Sequence, residues 1–266
     1  MKLLGIIGKP LDHSLSPKMF NAIFKKWNWP YRYLPFQVER AHLKNLIVCM
    51  KLVDVAGLNI TAPYKEAVLP LLDKLDISAK QCGAVNTIVR RKNQFIGFNT
   101  DGEGFVMAMK VACGVSSKNK RVIIIGAGGA ARAIAASLAK SGAKKIIFLN
   151  RHPLRARKAA NSLKKYFPKT EWKGYALTSG QCRRHFPETD IAVQATSASL
   201  KLPIPYLPKK SFVCDINYWD KKSPLLRNAK RLSLKTMDGL WMLVYQASLN
   251  LTLWTGKKIK PSSLKG

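Results

Sequence analysis

Acidic residues are scarce in this chain. Of 266 residues only 14 are Asp or Glu, against 46 Lys or Arg, for a formal charge of +32. Cysteine is sparse too. The five present (Cys49, Cys82, Cys113, Cys182 and Cys214) are an odd number without a C-x-x-C pair. That argues against a disulfide framework or a structural zinc site and fits a reducing cytoplasm. The four histidines are far apart and form no ligand-spaced pair, so no metal is expected. Long apolar runs are missing as well. The longest, Val122 to Ala131, meets Arg132 well short of the ~18–20 residues that a membrane span needs. The stretch Met1 to Lys9 is too short in apolar residues for a secretory signal and reads as a first buried strand. There is no internal repeat or low-complexity segment.

What is present is a core's worth of apolar residues, 47% of the chain, which excludes intrinsic disorder despite the charge. Residues 105–238 hold 27 of the 46 basic residues and 6 of the 14 acids. The excess comes in scattered pairs such as Lys144-Lys145, Lys164-Lys165, Arg183-Arg184, Lys209-Lys210 and Lys221-Lys222. Scattered pairs fit a solvated basic surface better than a nucleic-acid-docking stripe.

Strand and helix patterns alternate throughout, the mark of α/β architecture. The residues predict strands over 3–8, 32–36, 55–59, 121–125, 145–149, 190–194 and 212–215. They predict helices over 17–27, 63–72, 102–113, 130–141, 155–166 and 239–254. Ser16 is the expected N-cap of the first, with Pro17 at its first position. Val85–Arg90 and Gln94–Asn99 predict an antiparallel pair turning at Lys92-Asn93, and 114–120 reads as a polar linker. The expected division is residues 1–104 as one α/β domain, 105–238 as a nucleotide-binding domain, and 239–266 as a final helix returning to the first domain.

Gly126-Ala127-Gly128-Gly129-Ala130-Ala131 matches G-x-G-x-x-[GA] between an expected strand and an expected helix. The first glycine allows the tight turn, the second a close approach of pyrophosphate, and the small third residue close helix–strand packing. A ligand-free turn is the alternative. After the next strand a 2′-hydroxyl reader would be Asp or Glu. Here stand Asn150-Arg151-His152, then Arg155 and Arg157. An acid would repel a 2′-phosphate, and an arginine fork suits it, so the pattern points to NADP. Membership of these arginines in the general basic surface is the competing reading.

Three polar clusters end apolar segments in the first half: Ser14-Leu15-Ser16-Pro17, Asn59-Ile60-Thr61-Ala62-Pro63-Tyr64-Lys65, and Asn86-Thr87 with Asn99-Thr100-Asp101-Gly102. Each is turn-prone, but together their hydroxyls and amides suggest a polyhydroxylated ligand, with Lys65 for a carboxylate or a proton.

These clusters, with Gly83-Ala84-Val85-Asn86-Thr87, Gly97 to Gly102, the glycine loop, Asn150-Arg151 and Asp238 to Ala247, resemble the shikimate dehydrogenase family in family order over nearly the whole chain. The resemblance implies two α/β domains, a substrate domain and a Rossmann-type NADP domain, with the C-terminal helix returning to the first. It implies NADPH-dependent reversible reduction of 3-dehydroshikimate to shikimate, on the path to chorismate and aromatic amino acids, by a cytoplasmic monomer or homodimer. Position by position, Ser14 and Ser16 would bind the substrate carboxylate. Asn59, Thr61, Asn86, Asp101 and Gln246 would bind ring hydroxyls, and Lys65 and Asp101 would form the catalytic pair. Gly126, Ala127, Gly128, Gly129, Ala130, Asn150, Arg151, Arg155 and Gly239 would hold NADP, and Thr196 and Met242 would line its nicotinamide site. Two departures stand out: Gln194 replaces the family's Asn, and Asp220 stands where proline is common. A quinate/shikimate dehydrogenase is the nearest alternative, and a cofactor-sensing or nucleic-acid-binding protein on this fold is the alternative of another class.

Overall fold

The structure is a computed structural model that describes residues 1–196, 198, 202, 204–218 and 223–264. Two compact units divide it, Met1–Thr100 with Ala247–Gly266, and Asp101–Gln246.

The first unit is built on strands β1 (Lys2–Gly8), β2 (Tyr31–Gln37), β3 (Gly57–Ile60), β4 (Lys74–Leu75), β5 (Thr87–Arg91) and β6 (Gln94–Phe98). Helices α1 (Ser16–Lys26), α2 (Leu43–Leu52) and α3 (Ile77–Cys82) connect them. The six strands lie in the order β2-β1-β3-β5-β6-β4. β1 is parallel to β2 and β3, and β5 runs antiparallel to β3 and β6. The antiparallel pair turns where the sequence places it, with Lys92 at φ 53°. One face packs Leu58, Ile60, Ile88 and Phe95 against Leu43, Ile47 and Met50 of α2. On α2 these three recur at i, i+4 and i+7, a helical apolar stripe.

The second unit holds α4 (Asp101–Cys113), β7 (Arg121–Ile125), α5 (Gly129–Lys140), β8 (Lys145–Asn150), α6 (Pro153–Lys164) and β9 (Glu171–Ala176). Then follow α7 (Ser179–His185), β10 (Ile191–Gln194), β11 (Phe212–Asp215), α8 (Pro224–Arg231) and β12 (Lys235–Asp238). Helix α9 (Gly239–Thr255) runs from this unit into the first. The strands are all parallel in the order β12-β11-β10-β7-β8-β9. Counted within the unit this is 3-2-1-4-5-6 reversed, the doubly wound Rossmann order. Val122 and Ile124 of β7 face one core, and Ile123 and Ile125 the other. A strand buried on both faces needs an unbroken apolar run, and Val122-Ile123-Ile124-Ile125 supplies it.

The C-terminal half of α9 packs on the first unit. The Trp254 indole donates to the Ile88 carbonyl oxygen (3.0 Å) and stacks edge-on with Phe20. Among the described residues no helix is long and apolar enough to cross a membrane.

Two local expectations fail. Residues 63–72 are not an α-helix but a run of turns closing on a short 3-10 segment, Leu69–Leu71. Tyr64, Val68 and Leu71 do keep apolar spacing, but Pro70 has no N–H to continue a ladder, and the Tyr64 hydroxyl donates to the Val38 carbonyl oxygen. Ser16 is not the cap of α1. Leu15 holds that place without a side-chain hydrogen bond, and Ser16 is the first helical residue, buried. The Asp220 position and the Lys221-Lys222 pair lie outside the described residues.

Candidate active site

Strand register gathers the first unit's polar clusters at one edge of its sheet. Ile7 of β1 pairs with Ile60 of β3, and Asn59 with Thr87, which in turn pairs with Phe98. The end of β3, the start of β5 and the end of β6 therefore meet. Backbone bonds tie their extensions: Thr61 N–H donates to Ile7 O (2.9 Å), Ile60 N–H to Asn86 O (2.8 Å) and Asn86 N–H to Phe98 O (3.1 Å). The Val85 N–H donates to the Lys65 carbonyl oxygen (2.8 Å), which brings the turn carrying Lys65 to the same edge. Lys65 is thus held by β-edge pairing of a turn, not by the helix start expected for it. Asn59, Asn86, Thr87 and Thr100 are all buried here and share side-chain hydrogen bonds.

Ser14 and Ser16 follow β1 before α1. The Ser14 Oγ is buried with no partner among the described residues. A buried hydroxyl without a partner costs free energy unless something else satisfies it, so Ser14 fits a ligand-binding group.

In the second unit the register aligns Ile125, Leu149, Gln194, Asp215 and Asp238 across the carboxyl ends of the strands. Every sequence-expected cofactor residue follows one of these ends. Gly126 to Ala130 follow β7, Asn150 ends β8 and Arg151 follows it, and Arg155 lies in α6. Thr196 follows β10, and Gly239 and Met242 open α9. The strand order reverses between β7 and β10, which is where open α/β sheets bind ligands.

The loop after β7 has the properties a dinucleotide requires. Gly126 sits at φ +116°, and a Cβ there would come within 2.6 Å of the Ala195 carbonyl oxygen. That residue fixes the turn against the β10 loop. Gly128 differs: its backbone is ordinary (φ −78°, ψ −176°), and a Cβ on it would meet nothing within 4 Å. Gly128 caps α5 without a side-chain hydrogen bond. The space beside Gly128, at the start of a 12-residue helix, is thus open, and helix N-termini favour anionic oxygens. Arg151 and Arg155 are exposed, and no acid stands at the end of β8. The Asn150 amide donates to the His152 carbonyl oxygen (3.1 Å), pinning the start of this arginine segment.

Gln194, the departure from the family's Asn, is 1% exposed. Its amide nitrogen donates to Thr196 Oγ1 (2.9 Å) and to the Ala198 carbonyl oxygen (2.7 Å). The Asn217 amide donates to the Thr196 carbonyl oxygen (2.8 Å). The longer side chain thereby staples the loop that carries Thr196. Asp101 and Gln246 are buried in the second unit, Asp101 as the first residue of α4 and Gln246 on α9, where its amide donates to Leu243 O (3.2 Å).

A sequence reading missed Tyr33 and Asn250, whose polar atoms complete the network around Asn59 and Asn86. Asn250 had a signal, an amide four residues after Gln246 and so on the same face of the helix.

A doubly wound unit with an open glycine loop and arginines in place of the ribose-binding acid, joined to a separate α/β unit rich in buried amides and hydroxyls, defines a two-domain dinucleotide-dependent dehydrogenase. Residues 6–88 match the shikimate dehydrogenase substrate binding domain, and residues 108–204 match shikimate / quinate 5-dehydrogenase. The shikimate dehydrogenase (NADP(+)) of Desulforamulus reducens is 37% identical over 265 residues, covering 96% of this chain and 90% of its own. The shikimate 5-dehydrogenase of Thermus thermophilus, solved with NADP(H) and shikimate, has a TM-score of 0.86 at 31% identity and covers 99% of this chain and 97% of that one. Quinate dehydrogenase from Corynebacterium glutamicum, solved with NAD, has a TM-score of 0.88 at 31% identity and covers 99% of this chain and 96% of that one. The chain belongs to the shikimate dehydrogenase family.

Proposed function

We propose that this chain is an NADP-dependent shikimate dehydrogenase, interconverting 3-dehydroshikimate and shikimate. The observation that carries this reading is the meeting of Asn59, Thr61, Lys65 and Asn86 at one sheet edge, together with a buried Ser14 hydroxyl that has no partner among the described residues. Those groups match a small ring bearing a carboxylate and several hydroxyls. Ser14 and Ser16 take the carboxylate. Asn59, Thr61, Asn86, Asp101 and Gln246 take ring hydroxyls.

NADP, when bound, accepts or supplies the hydride at the reacting ring carbon. The protein's part is orientation and the proton. Lys65 holds a proton at the oxygen of that carbon, releasing it in reduction and taking it back in oxidation. Asp101 is the second member of the proposed catalytic pair and supplies a carboxylate. Gly126 to Ala130 bind the pyrophosphate, and Arg151 and Arg155, with Asn150, read the 2′-phosphate. Thr196, on a loop that Gln194 and Asn217 hold fixed, and Met242 border the nicotinamide, and Gly239 binds the cofactor.

The quinate reading has a specific support, the likeness to a quinate dehydrogenase. Quinate has one more hydroxyl on its carboxylate-bearing carbon, so the Ser14 side of the site decides. Steady-state rates with shikimate and with quinate, each with NADP and NAD, test both readings. Shikimate with NADP should give the highest kcat/KM, and a preference for quinate or for NAD would reject the proposal.

A further inference from the structure

The amides of Asn59 and Asn86 must each present a defined end to a ligand, and the first unit contains the means of fixing them. Groups with only one hydrogen-bonding role set the direction. The Thr100 backbone N–H can only donate, and it donates to Asn86 Oδ1 (2.9 Å). Asn86 Nδ2 therefore faces Thr100 Oγ1 and donates to it (2.9 Å). The single hydroxyl proton of Thr100 must then leave in another direction, and at 2.7 Å it meets Asn250 Oδ1. On the other side, the Asn86 carbonyl oxygen can only accept, and it takes Asn59 Nδ2 (3.0 Å). Asn59 Oδ1 is then left to accept from the Tyr33 hydroxyl (2.7 Å). Asn59 Nδ2 also reaches Thr87 Oγ1 (3.2 Å), whose own proton has two acceptors in range, Asn250 Oδ1 at 2.8 Å and Asn86 Oδ1 at 2.9 Å.

Asn250 is thus the common acceptor for two threonine hydroxyls. It is fully buried on α9, as is Thr87 beneath it, and Thr100 and Asn86 are buried too. Without its Oδ1 the two hydroxyls are left with each other, at 3.5 Å, and with Asn86 Oδ1, 2.9 Å from Thr87 Oγ1 and 3.3 Å from Thr100 Oγ1; one can donate to the other, so at least one proton turns to Asn86 Oδ1. That oxygen already accepts from the Thr100 N–H. One further proton directed at it fills the second of its two lone pairs.

From this geometry we infer that Asn250 is a positioning residue for substrate binding. It draws the Thr87 and Thr100 hydroxyl protons away from Asn86 Oδ1 and so keeps the Asn86 amide available to a ligand hydroxyl. The inference rests on the proposed role of Asn86 in binding the substrate ring.

Three variants test it, with the parent enzyme as the control for that role. Asn250→Ala should raise the shikimate KM about tenfold, the worth of one compromised hydrogen bond, with kcat changed less than about threefold and the NADP Kd unchanged. Asn250→Asp keeps an accepting oxygen in either protonation state and should stay within about threefold of the parent KM. If Asn250→Ala is too unstable to assay, the aspartate variant still decides, because a tenfold KM rise in it would refute the acceptor role. Thr87→Val added to Asn250→Ala removes one misdirected proton and should lower the raised KM. A purely structural role predicts the opposite, a further loss. An unchanged KM in Asn250→Ala, or no recovery in the double variant, overturns the inference. A parent enzyme that neither binds nor oxidises shikimate overturns the proposed function instead, and the two failures are thereby distinct.

Discussion

Gly126 and Gly128 stand two residues apart in one loop, yet the structure gives them opposite reasons to be glycine. Alanine at Gly126 would place a Cβ 2.6 Å from the Ala195 carbonyl oxygen, at a φ of +116° that side chains rarely adopt. The backbone strain alone costs on the order of 1–3 kcal/mol, and backbone atoms cannot give way as a flexible side chain would. Alanine at Gly128 meets nothing within 4 Å, at an ordinary φ and ψ. Its lower freedom in the unfolded chain favours folding by about 0.4–1 kcal/mol, and its poor capping costs a similar amount. The net change in stability is within about 0.5 kcal/mol. What Gly128→Ala should lose is NADP, because its methyl occupies the space through which pyrophosphate reaches the α5 N–H groups. Charge-assisted hydrogen bonds of that kind are worth about 1.5–3 kcal/mol, or ten- to a hundredfold in Kd. Urea unfolding and NADPH fluorescence titration on both variants measure the two effects separately. Parental NADPH affinity in Gly128→Ala, or parental stability in Gly126→Ala, would refute this division of roles.

Other substitutions probe the chemistry and the charge. Arg151→Ala should raise the NADP KM by about ten- to a hundredfold and leave that for NAD nearly unchanged; equal losses would remove the 2′-phosphate assignment. Lys65→Ala should lower kcat by about two to four orders of magnitude with little change in shikimate KM, and a raised KM with surviving turnover would make Lys65 an anchor instead. His185 stacks on Tyr175, and burial, helped by the Arg184 and Lys145 charges and opposed by Glu188, holds its pKa below 6.5. The unfolded chain therefore binds this proton more readily. The stability linked to His185 is whole above the unfolded pKa and is lost as pH falls from there toward the lowered folded value. His185→Gln should lessen the drop in unfolding free energy between about pH 7.5 and about pH 5, and an identical drop in both proteins would contradict the assignment.

The second unit's centre was readable in the sequence because its signals are local. Val122 to Ile125 could only be a strand buried on both faces, and the glycines after it announced the turn into α5. The edge strands were not readable. β9 (Glu171–Ala176) has one buried residue, Trp172, and β12 has only Met237. Such strands are defined by pairing to β8 and β11 more than by their own composition. Residues 63–72 misled for the converse reason, carrying helical apolar spacing that the chain satisfies with successive turns. In the first unit the individual polar clusters were visible, but their meeting was not. It depends on the register that sets Asn59 opposite Thr87 and Thr87 opposite Phe98. Asn250 lies 163 residues beyond Thr87 in the chain, and only the return of α9 brings the two within 2.8 Å.

The central claim, that this chain oxidises shikimate with NADP, is tested most directly by one initial-rate comparison on the purified protein. NADPH formation is followed with shikimate and with quinate, and repeated with NAD for both acids. The predicted result is a kcat/KM for shikimate with NADP at least about tenfold above the other three combinations, the worth of one well-made polar contact at each recognition point. Equal or greater efficiency with quinate or with NAD, or no turnover of either acid, would contradict it.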